Sequence, residues 1–247
     1  MSSRSHPAKT GRALGLTLVA VGAAAAMGAV VLGRGVESQA APLAAPQRLP
    51  EAAFMAPAAG GVETVVLSGG CFWGMQGVFE HVRGVRQVLA GYAGGGASTA
   101  NYDLVSTGTT GHAESIKIVF DPAQISFAEI LRIYFSVATD PTQVGGQFPD
   151  MGSQYRGEIF YTTPAQKAVA ERYIAQLGAA HLFRRPITTR IDPDKGFFAA
   201  EAYHQDYLYH HPDAPYIAAY DMPKVAALKT LFPADWRGAP VLTLASR

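Results

Sequence analysis

The chain has 247 residues, with 20 Lys and Arg against 19 Asp and Glu, a formal net charge of +1 and a single cysteine. A near-neutral balance without a basic block excludes an electrostatic nucleic-acid binder. A lone thiol excludes an internal disulfide framework, so redox chemistry begun at that sulfur must finish with sulfur from another molecule.

Arg4, Lys9 and Arg12 precede a charge-free run that ends at Arg34, the layout of an export signal. Residues 13–33 approach the ~20 residues that span a bilayer, yet Ala and Gly dominate them. Two readings stay open for residues 1–40: a signal cleaved near Ser38-Gln39-Ala40, or a retained membrane anchor. Both send the remainder across the membrane, so the expected location is exported, periplasmic or anchored facing the periplasm. No Arg-Arg pair precedes the run, which argues against a twin-arginine route. Residues 41–61, rich in Ala and Pro, read as a linker without a core of its own. Residues 62–233, about 170 in all, can bury one core without disulfides or metals, which leaves 234–247 as a C-terminal tail. One catalytic domain in a monomer is expected.

Within that domain, Glu63 to Ser68 is apolar and β-branched and stops at Gly69-Gly70, so it reads as a buried strand ending in a tight turn. Met75, Val78, Phe79 and Val82 follow at helical spacing until Gly84, which puts Cys71 where a strand hands over to a helix. Ile116, Ile118 and Phe120 alternate in a strand that Asp121-Pro122 ends. Ser126 and Glu129 form a capping box that would satisfy two amides, and Ile130, Leu131, Tyr134 and Phe135 stripe the helix behind it. Arg156 to Tyr161 reads as a strand, Thr163-Pro164 opens a helix carrying Val169, Tyr173 and Leu177, and Ile187 to Ile191 reads as a further strand. The order favours an α+β two-layer sandwich, a mixed sheet with helices packed on it, with Gly91 to Gly96 standing in for one helix.

Cys71 lies in Gly70-Cys71-Phe72-Trp73-Gly74. At a helix start the free amides and the positive end of the dipole favour thiolate, and a pKa moved from ~8.5 toward ~6.5 would ionise most of the sulfur at neutral pH. Phe72 and Trp73 point about 100° apart on a helix, so both cannot face one core, and an aromatic wall beside the sulfur suits a small sulfur compound. His112, His204, His210 and His211 lack metal-ligand spacing and no second thiol is available, so no metal is expected.

The chain resembles the A-type peptide methionine sulfoxide reductases. The resemblance runs from that pentapeptide through Gly91-Tyr92-Ala93-Gly94-Gly95, Asn101-Tyr102, Gly108 to Glu114, Asp140 to Gln143, Pro149-Asp150, Gln154-Tyr155-Arg156 and Ala200 to Leu208. It implies reduction of methionine S-sulfoxide, protein-bound or free, with Cys71 attacking the sulfoxide sulfur. It further implies Glu114 as proton donor, Tyr102 and Tyr155 as assisting hydroxyls, Asp150 on the polar side of the pocket, and Phe72 and Trp73 as the walls that hold the methyl group. A donor carboxyl must be neutral while the nearby sulfur is anionic, and burial or a neighbouring negative charge would raise Glu114 enough.

Attack would leave a sulfenic acid on Cys71. Many members of the family resolve it with C-terminal cysteines, but Pro215 to Pro233 contains none. The chain follows the one-cysteine branch, in which Pro215-Tyr216-Ile217 and Asp221-Met222-Pro223-Lys224 recur. No bound cofactor is implied, and an external thiol reductant, thioredoxin-like or another dithiol donor, must restore Cys71. Gln76, Gly157 and Phe198 depart from the residues common at their positions. The competing chemistry is a cysteine hydrolase or acyltransferase with His112 or His204 as base.

Overall fold

Val65 and Leu67 of β1 (Glu63–Ser68) enter the main core, while Val66 joins Ala93 and Phe160 on the opposite face, as the two-residue period of a strand requires. The structure, a computed structural model, describes residues 45–57 and 60–243. The predicted export signal or anchor at 1–40, with its cleavage site, lies outside the described residues.

Beyond β1 come α1 (Phe72–Glu80), β2 (Val85–Ala93), α2 (Tyr102–Val105) and β3 (Ala113–Phe120). Next are α3 (Phe127–Ile133), the short β4 (Gly146–Gln147) and β5 (Asp150–Met151), β6 (Glu158–Tyr161) and α4 (Pro164–Ala179). The order closes with β7 (Arg190–Pro193), β8 (Phe197–Ala199), α5 (Tyr207–His210) and α6 (Met222–Leu231). Six strands form one sheet in the order β7-β6-β1-β3-β2-β8, and β4 pairs separately with β5. Only β6 and β7 run parallel; the other pairs in the six-stranded sheet are antiparallel.

The helices cover one face. Phe72, Met75 and Phe79 of α1, Leu131 of α3, Tyr173 and Leu177 of α4 and Leu228 of α6 share a core with Leu67, Ile116, Ile118 and Phe120. This is the expected α+β arrangement of a mixed sheet under a helical layer.

Four expectations need correction. The sequence pattern offers no strand over 85–93 and sets Gly91 to Gly96 in the place of a helix, yet β2 is nine residues long, runs through Gly91 to Ala93 and pairs with both β3 and β8. Its inward residues are Val88, Ala90 and Tyr92, two of them small or modest in hydrophobicity, and a register shift between Val85 and Gln87 breaks the alternation. The parallel edge strand begins at Arg190 rather than at Ile187. Of the capping box, Ser126 Oγ accepts the Glu129 amide at 3.1 Å, but the Glu129 carboxylate turns to Arg132.

The fourth correction concerns the boundaries. Residues 47–54, expected within the linker at 41–61, are docked: Leu49 is 2% exposed, its carbonyl accepts from Arg132 Nε at 2.7 Å, Tyr173 donates to the Pro50 carbonyl at 2.8 Å, and Arg172 lies over the Phe54 ring. A single Leu and a single Phe anchor the segment, too few to register in an Ala/Pro-rich composition. The tail is docked too. Trp236 stacks on His81 with ring centroids 4.5 Å apart, and the Val241 amide donates to the Glu80 carbonyl at 3.0 Å.

Candidate active site

Gly69 and Gly70 carry the chain from β1 into α1, with Gly70 at φ +99°, a backbone state that glycine adopts without strain. The Gly70 amide donates to the Tyr155 carbonyl at 3.2 Å. Cys71 then takes the N-cap position of α1 and is 8% exposed.

Glu114 has the same parity along β3 as Ile116, Ile118 and Phe120, so it faces the helical layer, and it stands opposite Tyr92 of β2. It is 3% exposed. Its Oε2 accepts the Phe72 amide at 3.1 Å, which places the carboxyl at the first turn of α1 beside the sulfur. Two influences oppose each other there. Burial pushes the Glu114 pKa up, the Phe72 amide pulls it down, and the negative charges of Asp150 and Asp221 add to the rise, which reaches about 8. Glu114 is therefore largely protonated at neutral pH.

Cys71 departs from the expectation of a lowered pKa. Burial, then Glu114 and Asp221, push the thiol well above its ordinary value, against the Trp73 amide bonded to the sulfur. The helix start does favour thiolate, but desolvation and converging carboxylates outweigh it, and the free site holds a neutral thiol.

Phe72 is fully buried and packs against His204 and Tyr92. Trp73 is half-buried, stacked on Tyr207 at 4.0 Å and 14°, and edge-on to Tyr216. Its indole N–H donates to His204 Nδ1 at 3.1 Å. Tyr102 lies with its ring 4.6 Å from the His204 ring, and its amide donates to Glu201, which also accepts from the Tyr92 hydroxyl. Burial raises the phenol pKa values of Tyr102 and Tyr155, and both feel Glu114 and Cys71. Asp150 accepts from the Tyr216 hydroxyl, and burial raises its pKa.

Cys71, Glu114, Tyr102, Tyr155, Asp150, Phe72 and Trp73 thus converge around the start of α1. The sequence alone assigns no role to Tyr207, Tyr216, Glu201 or Asp221, although all four lie in motifs that carry the resemblance. Among the described residues, neither His112 nor His204 makes a hydrogen bond to the Cys71 thiol. His112 engages Gly95 and Gly96 through its two ring nitrogens, and His204 Nδ1 is committed to Trp73. Phe198 meets the His112 ring edge-on.

The arrangement offers a sulfur nucleophile, a neutral carboxyl and an aromatic wall at one helix start. The family model described as peptide methionine sulfoxide reductase matches residues 63–235. The chain is 51% identical over 189 residues to a peptide methionine sulfoxide reductase of Mesorhizobium japonicum, covering 76% of this chain and 97% of that one. It is 52% identical over 165 residues to that of Synechocystis, covering 67% and 77% of the two chains. Among solved structures, methionine sulfoxide reductase A of Corynebacterium diphtheriae matches with a TM-score of 0.53 and 32% identity, over 72% of this chain and 92% of that one. The family model spans the whole sheet, the helical layer and every residue of the site, so the chain belongs to the peptide methionine sulfoxide reductases, enzymes that reduce methionine sulfoxide to methionine.

Proposed function

We propose that the chain reduces the S epimer of methionine sulfoxide with Cys71 as nucleophile and Glu114 as proton donor. The observation that carries this reading is the Glu114 carboxyl, buried and held protonated to about pH 8, on the Phe72 amide beside the sulfur. Sulfoxide oxygen leaves poorly unless it is protonated, and a neutral buried carboxyl supplies that proton where water cannot. A hydrogen bond from Glu114 to the oxygen makes the sulfoxide sulfur more electrophilic. It also makes formation of the Cys71 thiolate favourable only when substrate is present, in keeping with a thiol that stays neutral in the free site.

The Glu114 proton goes to the sulfoxide oxygen, the thiol proton restores Glu114, and the Cys71 sulfur attacks the sulfoxide sulfur to form a sulfur–sulfur bond. The sulfur–oxygen bond then breaks and the oxygen leaves as hydroxide. That oxygen attacks the Cys71 sulfur, the sulfur–sulfur bond breaks, methionine leaves with the bonding electron pair, and Cys71 is oxidised to the sulfenic acid. Tyr102 and Tyr155 hold the oxygen, Trp73 and Phe72 enclose the methyl group, and Asp150 lines the polar side.

No prosthetic group enters this scheme. One external thiol attacks the sulfenic acid and releases water, and a second frees Cys71 as the mixed disulfide becomes the reductant's own disulfide. A thioredoxin-like dithiol donor fits that stoichiometry. The charge layout of residues 1–34 supports action beyond the cytoplasmic membrane, which cell fractionation and N-terminal sequencing of the mature protein test.

Single-turnover measurement tests the chemistry. One equivalent of methionine is expected per molecule without added thiol, with a trappable sulfenic acid on Cys71 and no product from Cys71→Ser. Continued turnover without a reductant contradicts it.

A further inference from the structure

Asp221 is 0% exposed and takes no part in the scheme of nucleophile and donor. It lies so close to the first turn of α1 that a Cβ on Gly74 would meet its Oδ1 at 2.0 Å. Glycine alone leaves that room. Lys224 Nζ bonds the same oxygen at 3.1 Å, whereas Oδ2 is buried without a hydrogen-bond partner. An orphaned buried carboxylate oxygen costs stability, so anchoring Lys224 is an incomplete account of why a carboxylate stands there.

The titratable groups facing it are Lys224 on α6, Tyr216 from the preceding turn, Cys71 at the start of α1, Glu114 on β3 and Asp150 on β5. Lys224 is the sole cation among them. Three carboxyl groups and a thiol share one poorly solvated region, and such a cluster lowers its energy by keeping a proton on a member. Burial raises the pKa of Asp221, and the Lys224 ammonium opposes that rise in favour of the carboxylate; burial likewise raises Asp150, and the Tyr216 hydroxyl opposes it. Among the described residues, no cation acts on Glu114.

We propose that Asp221 is a positioning residue for the reduction: its carboxylate, packed on Gly74 and held by Lys224, keeps the proton on Glu114 until the sulfoxide oxygen takes it. This rests on Glu114 being the donor. The charge of Asp221 contributes to the rise of both Glu114 and Cys71, so its removal acts on both groups in the same direction.

The test is the pH dependence of kcat/KM with free methionine sulfoxide and a small dithiol. Asp221→Asn removes the charge at nearly constant volume. The alkaline limb is expected to move to lower pH by about half a unit or more, a two- to three-fold loss against wild type at pH 8 when each protein is scaled to its own low-pH plateau. Since that variant leaves the Lys224 ammonium without its partner, the double variant Asp221→Asn/Lys224→Met removes both charges, and the same displacement is expected. An alkaline limb that coincides with wild type in a folded variant overturns the proposal.

Glu114→Gln, read in parallel on its residual activity, separates the two assignments. Its alkaline limb disappears if Glu114 is the donor. Should that limb persist, the donor reading falls and the role of Asp221 with it. A limb lost in Glu114→Gln but unmoved in the Asp221 variants overturns the role of Asp221 alone.

Discussion

Trp73 donates its indole N–H to Nδ1 of His204 at 3.1 Å. An indole nitrogen can only donate, so Nδ1 is unprotonated and the imidazole proton sits on Nε2. Burial lowers the pKa of His204, which keeps the ring neutral at neutral pH. The outer wall of the site is therefore tied to one tautomer of one histidine. His204→Phe keeps a ring but removes the acceptor. KM for methionine sulfoxide is expected to rise and kcat/KM to fall about tenfold, the worth of ~1.4 kcal/mol, in steady-state assays. The alkaline limb of the pH profile should stay in place, because Glu114 is untouched.

The proton on Glu114 sets that alkaline limb. Activity should fall as pH rises through about 8, the value to which burial, Asp150 and Asp221 bring the carboxyl. Glu114→Gln keeps a hydrogen-bond donor and Glu114→Ala does not. Both variants lose the transferable proton, so each should slow single-turnover reduction within the ~10²–10⁴ range that positioned acids contribute, Glu114→Ala more than Glu114→Gln because it also loses the hydrogen bond. A wild-type rate in Glu114→Gln would remove the donor role.

Much of this site is legible along the chain because its parts lie at element ends. The β1–turn–α1 handover locates Cys71, and the alternation of Ile116, Ile118 and Phe120 puts Glu114 on the inner face by parity alone. The acidity of the sulfur is not legible. Helix position argues for thiolate, whereas burial first, and then the carboxyl groups of β3, the start of α6 and β5, reverse it, an approach that no spacing encodes. Strand β2 is hidden for a different reason. A register shift at Val85/Gln87 and the small Ala90 weaken a two-residue period that only the neighbouring strands make evident.

The arm at 47–54 contributes to stability although its composition resembles a tether. Leu49→Ala empties a buried place in the main core, and it loosens the carbonyl held by Arg132. A loss of about 2–4 kcal/mol is expected, as for other buried Leu truncations. Urea unfolding monitored by circular dichroism measures it, and a midpoint unchanged from wild type would show that the arm adds nothing to the fold.

Glu80 gives the fold a pH dependence separate from catalysis. It is 1% exposed, and burial together with its contact to Asp206 raises its pKa to about 9. Below the unfolded value near 4.5 both states carry the proton and its full contribution to stability is present. Between there and about 9 the unfolded chain releases a proton that the folded chain keeps, so stability declines as pH rises, and above about 9 the decline ends. Glu80→Gln can still donate to Asp206 and does not titrate. Its melting temperature should gain little on wild type at pH 5 and progressively more toward pH 9, a difference on the order of a few kcal/mol at the alkaline end. Thermal unfolding across that range reads it directly. Parallel curves for the two proteins would mean that Glu80 is already ionised in the fold and that Asp206 tolerates the charge beside it.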